Sequence, residues 1–319
     1  TTTAGSSSNE PVSTEITLVD QAGRTVVLEK KAEKVASCYY ISTYAVLSLG
    51  LSDKLVAVEK KANTRPIYKM ANAKILDLPG VATMKEINVE SLAATNPDLV
   101  IIPKARIDDV AAIEALGLKV IVVNPETDAN MREMVKLIAK ACGVDEKATE
   151  LLSYIDAKIG DFKAQTTPKV LMLSNSSILS AAPKNMYQND LITLAGGTNA
   201  YASNDGTYWT AISYETILAL DPDYVVIPGG ANYTIDTFTT DAALSGLRAV
   251  TTAGRVKQIP AAFEEWDSPI PSSFLGILWL RSVLHPSDYS ADSFRKDIVD
   301  FYEKFYGFTP SAEVLATIG

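Results

Sequence analysis

The chain contains an internal repeat. Residues 88–103 read NVESLAATNPDLVIIP, and residues 213–228 read SYETILALDPDYVVIP. At a constant offset of 125, Glu90 aligns with Glu215, Ala94 with Ala219, and Pro97-Asp98 with Pro222-Asp223. Val100, Ile102 and Pro103 align with Val225, Ile227 and Pro228. Each copy reads as a short helix, a Pro-Asp turn and an apolar strand. A unit that recurs between unlike flanks points to two α/β lobes of one design rather than to one continuous sheet.

The rest of the chain fits that reading. Short β-branched runs predict strands at 35–37, 55–58, 99–102, 120–123, 170–173, 224–227 and 256–259. Several are apolar at consecutive positions, as in strands covered on both faces, and helical patterns separate them. One helix stands apart. From Asp145 to about Gln165, Leu152, Ile155, Ile159 and Phe162 form one apolar stripe. Gly143 closes the helix before it, and Pro168 forbids continuation. A helix of that length would span about 30 Å, the width of a small domain. The expected fold is therefore α/β: two Rossmann-like lobes with parallel sheets, joined by one long interdomain helix. The expected boundaries are a disordered tether over residues 1–14, a first lobe over 15–144, a linker helix over 145–166 and a second lobe over 167–319.

Composition narrows the chemistry. The 319 residues are 47% hydrophobic, enough for one large core or two ordinary ones. Asp and Glu number 38 against 29 Lys and Arg, and no basic run builds the face a nucleic-acid binder needs. The one histidine, His285, and the two cysteines, Cys38 and Cys142, cannot assemble a Cys₂His₂ or Cys₄ zinc site, a four-thiolate cluster or a three-His metal pocket. A Ser-His-Asp triad has only His285 to draw on, and no G-x-S-x-G accompanies it. His285, in Leu-His-Pro, reads as a helix end. Two cysteines leave one disulfide and two free thiols both open.

The opening TTTAGSSSNE has no initiator Met, no basic n-region and no apolar h-region, so no signal peptide is expected within it. A polar start of this kind fits the tether left after a membrane anchor is cut away, and equally a disordered terminus or a cloning remnant. Eighteen uncharged residues lie between Lys34 and Asp53. Ser37, Ser42, Thr43, Ser48 and Gly50 interrupt them, so a strand and a short helix are expected there rather than a membrane span.

A Glu-led helix running into a Pro-Asp turn and an apolar strand, once per lobe, resembles the helical-hinge (class III) substrate-binding proteins of ABC importers. Ile16–Ser37, with its D-x-x-G-R at Asp20–Arg24, resembles that family's opening hairpin and first strand. Ala195-Gly196-Gly197 resembles the glycine pair that ends a helix of the second lobe. Residues 263–269, FEEWDSP, are similar to a segment of an iron-complex branch. The likeness runs from about Ile16 to Phe308. It implies an extracytoplasmic receptor, periplasmic or lipid-anchored, monomeric, with no enzymatic activity and no cofactor or metal site of its own. Such a receptor would capture an iron complex of the siderophore type between the lobes and deliver it to a dimeric permease. Alternatives on the same scaffold are molybdate or tungstate, haem and corrinoid receptors. A Rossmann-type or nitrogenase-like oxidoreductase is a distant alternative, but it would need a G-x-G-x-x-G loop or cluster cysteines, and neither is present.

Ligands of open parallel sheets bind beyond the carboxyl ends of the strands. In the first lobe those positions are Cys38, Tyr39 and Tyr40, then Glu59 to Arg65, then Lys104 and Arg106. In the second they are Asn175 to Ser177, Asn232, Tyr233 and Glu264 to Asp267, with Tyr187 and Tyr208-Trp209 in polar segments nearby. The expected ligand residues are Tyr39, Tyr40, Arg65, Lys104, Arg106, Tyr187, Tyr208, Trp209 and Trp266. Aromatic walls suit a large amphipathic ligand, and the three cations suit an anionic chelate. Each has a plainer reading. The tyrosines and tryptophans also suit packing, Lys104 and Arg106 a solvated loop, and Cys38 a small apolar position. The resemblance further implies that one glutamate per lobe docks onto the permease. The repeat carries that role to Glu90 and Glu215, with Glu86 as a substitute if the register is shifted.

Overall fold

The computed structural model describes residues 14–318, and the expected tether, apart from Thr14, lies outside the described residues. In chain order the first lobe contains β1 (Ile16–Val19), β2 (Thr25–Leu28), β3 (Val35–Ser37), α1 (Tyr40–Ser48), β4 (Leu55–Glu59), α2 (Pro66–Ala71), β5 (Gly80–Ala82), α3 (Val89–Ala94), β6 (Leu99–Pro103), α4 (Val110–Glu114), β7 (Val120–Val123) and α5 (Asp128–Cys142). The connecting helix is α6 (Asp145–Ile159). The second lobe continues with β8 (Lys169–Met172), β9 (Ser180–Ala181), α7 (Tyr187–Leu194), β10 (Thr198–Asn199), β11 (Thr210–Ala211), α8 (Tyr214–Leu220), β12 (Tyr224–Ile227), α9 (Ile235–Thr239), α10 (Arg248–Thr251) and β13 (Val256–Gln258). It ends with α11 (Phe274–Leu284), α12 (Ala291–Tyr306) and α13 (Ala312–Ala316).

Each lobe carries one parallel sheet, of order β5-β4-β3-β6-β7 in the first and β10-β8-β12-β13 in the second. Chain direction across the sheet reverses between β3 and β6, and again between β8 and β12. A crevice opens at such a switch, beyond the carboxyl ends of the strands.

The repeat is a structural unit. Asn88 caps α3 by accepting from the Ser91 amide, and Ser213 caps α8 by accepting from the Thr216 amide, both 125 residues apart. Asn96 and Asp221, again 125 apart, are the two non-glycine residues with positive φ among the described residues, at 48° and 39°. Short polar side chains tolerate this conformation best, and it turns each chain from helix into strand. Asp98 then accepts from the Glu33 and Lys34 amides ahead of β3, and Asp223 from the Lys169 amide that opens β8. The Pro-Asp pair thus fastens each β-strand to its neighbour.

The opening hairpin has a similar local cause. Gly23 takes φ 78° in its turn. The buried Asp20 carboxylate accepts from the Ala22 and Arg24 amides and from Val122 on β7, which fixes the hairpin to the first sheet.

The connecting helix is shorter than its apolar pattern predicts. It stops at Ile159 because Gly160 adopts φ 58°, so it spans about 22 Å. Phe162 lies beyond it and packs beneath the Arg281 guanidinium, 4.2 Å from its ring centre. The lobes also meet directly. Helix α6 packs on α5 and α11, and α1 packs on α12. A single apolar core runs through these contacts, from Leu47 and Met134 to Leu278 and Phe301. His285 ends α11, and its Nε2 lies 3.1 Å from the Gly196 carbonyl oxygen. Gly196 has φ 89°, and a Cβ there would meet that imidazole at 2.8 Å. Cys38 and Cys142 are both free and buried.

Candidate functional site

The carboxyl ends of both sheets face one cleft. Tyr39, the residue before α1, borders all three of its compartments. The largest, about 720 Å³, is bounded by Met84, Lys104, Glu126 and Asn130 of the first lobe and by Asn185 and Tyr208 of the second. A side compartment of about 390 Å³ lies within the first lobe against Cys38, Tyr40, Glu59 and Arg65. A narrow end of about 180 Å³ is shared by Tyr40 and Glu126 with Asn175, Tyr187, Trp209 and Asp267.

Of the expected ligand residues, Tyr39, Tyr40, Arg65, Lys104, Tyr187, Tyr208 and Trp209 line this cleft. Tyr208 is 74% exposed at its rim. Tyr187 begins α7 and is buried.

Two expected residues are elsewhere. Trp266 is fully buried; its indole Nε1 donates to the Tyr302 hydroxyl at 3.1 Å, and its ring meets Phe294 edge-on. It is a core residue because the segment carrying it folds back over α11 and α12. Arg106 turns away from the cleft. It pairs with Asp109 at 2.5 Å and donates to the Lys85 carbonyl, both on its own lobe.

The expected cationic character is also corrected. Arg65 lines the cleft but is held between two carboxylates, with Nε 3.1 Å from Glu59 and Nη1 2.7 Å from Glu265. Glu59 is buried, and it accepts further bonds from the Tyr68 hydroxyl at 2.6 Å and from Thr43. Tyr44 donates to Glu265 at 2.7 Å, and the guanidinium lies 4.1 Å from the Tyr40 ring centre. Arg65 is therefore a bridge between lobes and not a free anion receptor.

Burial shapes the remaining titratable groups. It pushes the Cys38 thiol up to about 12, with Glu59 and Asp109 adding to the shift. It raises Asp267 to about 6, and it raises Glu126 above the usual carboxylate range. Glu264, beside the cleft segment, is pushed up to about 7 by burial, although Tyr302 and Tyr306 both donate to it. Glu126 and Gln188 were missed from the sequence. Glu126 had a signal, since Asn124-Pro125-Glu126 directly follows the strand at 120–123. Gln188 had none. Among the described residues no group of three or more His, Cys, Asp or Glu side chains is placed to hold a metal ion.

Residues 35–262 match the periplasmic binding protein family. The chain belongs to that family. It has the helical-hinge architecture of the substrate-binding proteins of ABC importers, a family of receptors. It is 25% identical over 228 residues to the uncharacterized ABC transporter substrate-binding lipoprotein YvrC of Bacillus subtilis, covering 67% of this chain and 69% of that one. A periplasmic solute-binding protein from Veillonella parvula superposes with a TM-score of 0.81 and 25% identity, over 95% of this chain and 96% of the other. The molybdate-bound MolA of Haemophilus influenzae shares the fold, with a TM-score of 0.78 and 18% identity over 92% and 99% of the two chains. Family membership places this periplasmic binding protein outside the cytoplasm, as the binding component of an ABC transporter. Among the described residues no helix is long and apolar enough to cross a membrane.

Proposed function

We propose that this receptor captures a metal chelate, an iron complex of the siderophore type, between its lobes and delivers it to a dimeric permease. The observation that carries the reading is the cleft itself. A cavity of about 720 Å³, bordered by Tyr39 and Tyr208 and continuous at Tyr39 with the compartments of Tyr40 and Trp209, suits a large amphipathic ligand. A bare oxoanion would leave most of that volume to water. The MolA likeness keeps molybdate as a second reading, but Arg65 is already neutralised by Glu59 and Glu265. The receptor needs no catalytic group or cofactor, works as a monomer and, like the lipoprotein YvrC, is tethered to the outer face of the membrane.

Delivery falls to Glu90 and Glu215. Both are exposed in the first turn of their helices, α3 and α8. Each helix runs back against the strand that follows it, so its first turn lies on the cleft side of the lobe. Glu86 pairs with Lys60 at 2.7 Å and is less free to serve. Two matched acids suit a permease with two matched halves.

Titration of the full chain with ferric hydroxamate, ferric catecholate, haem, corrinoid and molybdate, followed by absorbance and intrinsic fluorescence, tests the ligand class. Tight binding of a ferric chelate supports the reading, and binding confined to molybdate overturns it. The Glu90→Gln/Glu215→Gln double variant tests delivery. It should bind ligand as the parent does and lose uptake through the cognate permease. Normal uptake, or lost affinity, refutes the docking role.

A further inference from the structure

The narrow end of the cleft carries a charge that its occupant must answer. Glu126 from the first lobe and Asp267 from the second both line it, and among the described residues neither has a cationic partner. Gln188 lines it too and is buried. Its Nε2 donates to the Asp267 carbonyl at 2.8 Å, which leaves Oε1 without a donor. One buried acceptor with no hydrogen bond among the described residues is thus gathered with two carboxylates that lack a cation.

Two features pull the other way. Helices α1 and α7 both begin at this cavity, with Tyr39 and Met186 at N-cap positions that make no side-chain cap. A helix start carries roughly half a positive charge, less when the helix is short, so the pair supplies at most about one charge against two carboxylates. Arg65 is spent on Glu59 and Glu265. Lys61, Lys85 and Lys104 border the wider compartments as exposed side chains, where solvent screens them. The balance at the narrow end is negative, with Tyr40 and Trp209 beside it.

We propose that the narrow end receives a cationic, donor-bearing arm of the ligand, an ammonium or guanidinium, held between Glu126 and Asp267 with Gln188 Oε1 as a third acceptor. This rests on the receptor reading above and specifies the chelate: one that is positively charged at one end. Carboxylates pay most for burial when unpaired, and charge-assisted bonds to a cation remove that penalty. The adjacent rings add attraction for a cation. Because the two acids come from opposite lobes, one cation bonded to both also ties the lobes together.

The test uses one chelate in two charge states. A linear ferric trihydroxamate with a free terminal ammonium, and the same chelate with that amine acetylated, are titrated calorimetrically into the full chain. The ammonium form should bind about tenfold tighter or more, as loss of a charged hydrogen-bond pair requires. In Glu126→Gln and in Asp267→Asn, each shown to fold by circular dichroism, that ratio should fall toward one. Equal binding of the two forms, or a ratio unchanged in both variants, overturns the proposal. Binding confined to a ferric tricatecholate, a corrinoid or molybdate overturns it and leaves the receptor reading standing. No binding by any of these probes counts against the receptor reading, and the proposal falls with it.

Discussion

Arg65 Nη1 lies 2.7 Å from Glu265 Oε1, and this contact joins the two lobes across 200 residues of chain. The guanidinium also bonds Glu59, so one cation serves a buried carboxylate on its own lobe and a half-exposed one on the other. Tyr44 reaches Glu265 from α1 and completes the bridge.

Arg65→Ala should therefore be costly. It leaves the buried Glu59 without its cation, a loss of about 3–5 kcal/mol for a buried pair broken on one side. Glu265→Gln should cost about 1 kcal/mol, since that carboxylate is nearer solvent and Tyr44 can still donate to the amide oxygen. Urea denaturation of the two variants checks the order. A cheaper loss from Arg65→Ala than from Glu265→Gln would refute the bridge.

Closure on ligand binding should be small. The lobes share α6, the α1–α12 contact, the Arg65 bridge and a hydrogen bond from the Asp128 amide to Asp190 at 3.2 Å. A motion that breaks all of these would expose packed core. Small-angle scattering with and without ligand should give nearly the same radius of gyration. A large drop would show that the lobes hinge freely.

Gly276 on α11 sits under the Trp266 backbone, where an added Cβ would lie 2.5 Å from the carbonyl oxygen. Gly276→Ala must push that segment outward and should destabilise by about 1–3 kcal/mol. A melting temperature lowered by several degrees would confirm it, and an unchanged one would mean the segment yields freely.

Glu264 should make stability fall as pH rises. Its folded value, about 7, lies above the ordinary carboxylate value because burial disfavours the charge. Between the two values the folded state holds the proton and the unfolded state releases it, so rising pH favours unfolding. The stabilisation is complete below the unfolded value and is lost by about pH 7. The whole effect is on the order of 3 kcal/mol. Asp267, raised to about 6, acts in the same direction. Denaturation at pH 5 and pH 8 should show a parent that loses more stability than Glu264→Gln. Equal losses would place the titration elsewhere.

Both thiols should be inert in the native state. Burial pushes Cys38 up to about 12 and Cys142 up to about 11, so little thiolate exists at neutral pH. A thiol reagent should titrate two groups only after denaturation. Fast labelling of the native chain would show that Cys38 is open to the cleft.

What the sequence by itself determined is local or repeated. The strands at 120–123 and 224–227 coincide with β7 and β12, because continuous runs of β-branched and aromatic residues suit a doubly covered strand. The 125-residue repeat carried its caps, its left-handed Asn96 and Asp221 and its Pro-Asp fastener in both copies, since each depends on residues a few positions away. Strand ends plus the parallel-sheet rule were enough to bring Tyr39, Tyr40 and Lys104 to the cleft. The end of α6 at Ile159 has a cause visible in the sequence: Gly160 outweighs an apolar stripe that continues through Phe162. Only the tertiary structure decided the state of those cleft residues. Arg65 looked like a free cation until Glu265, 200 residues away, was brought against it. Trp266 looked like a ligand platform until α11 and α12 closed over it. Glu126 and Asp267 face one cavity only because two lobes meet. Charge pairing and burial are relations between distant segments, and neither composition nor spacing encodes which partner will arrive.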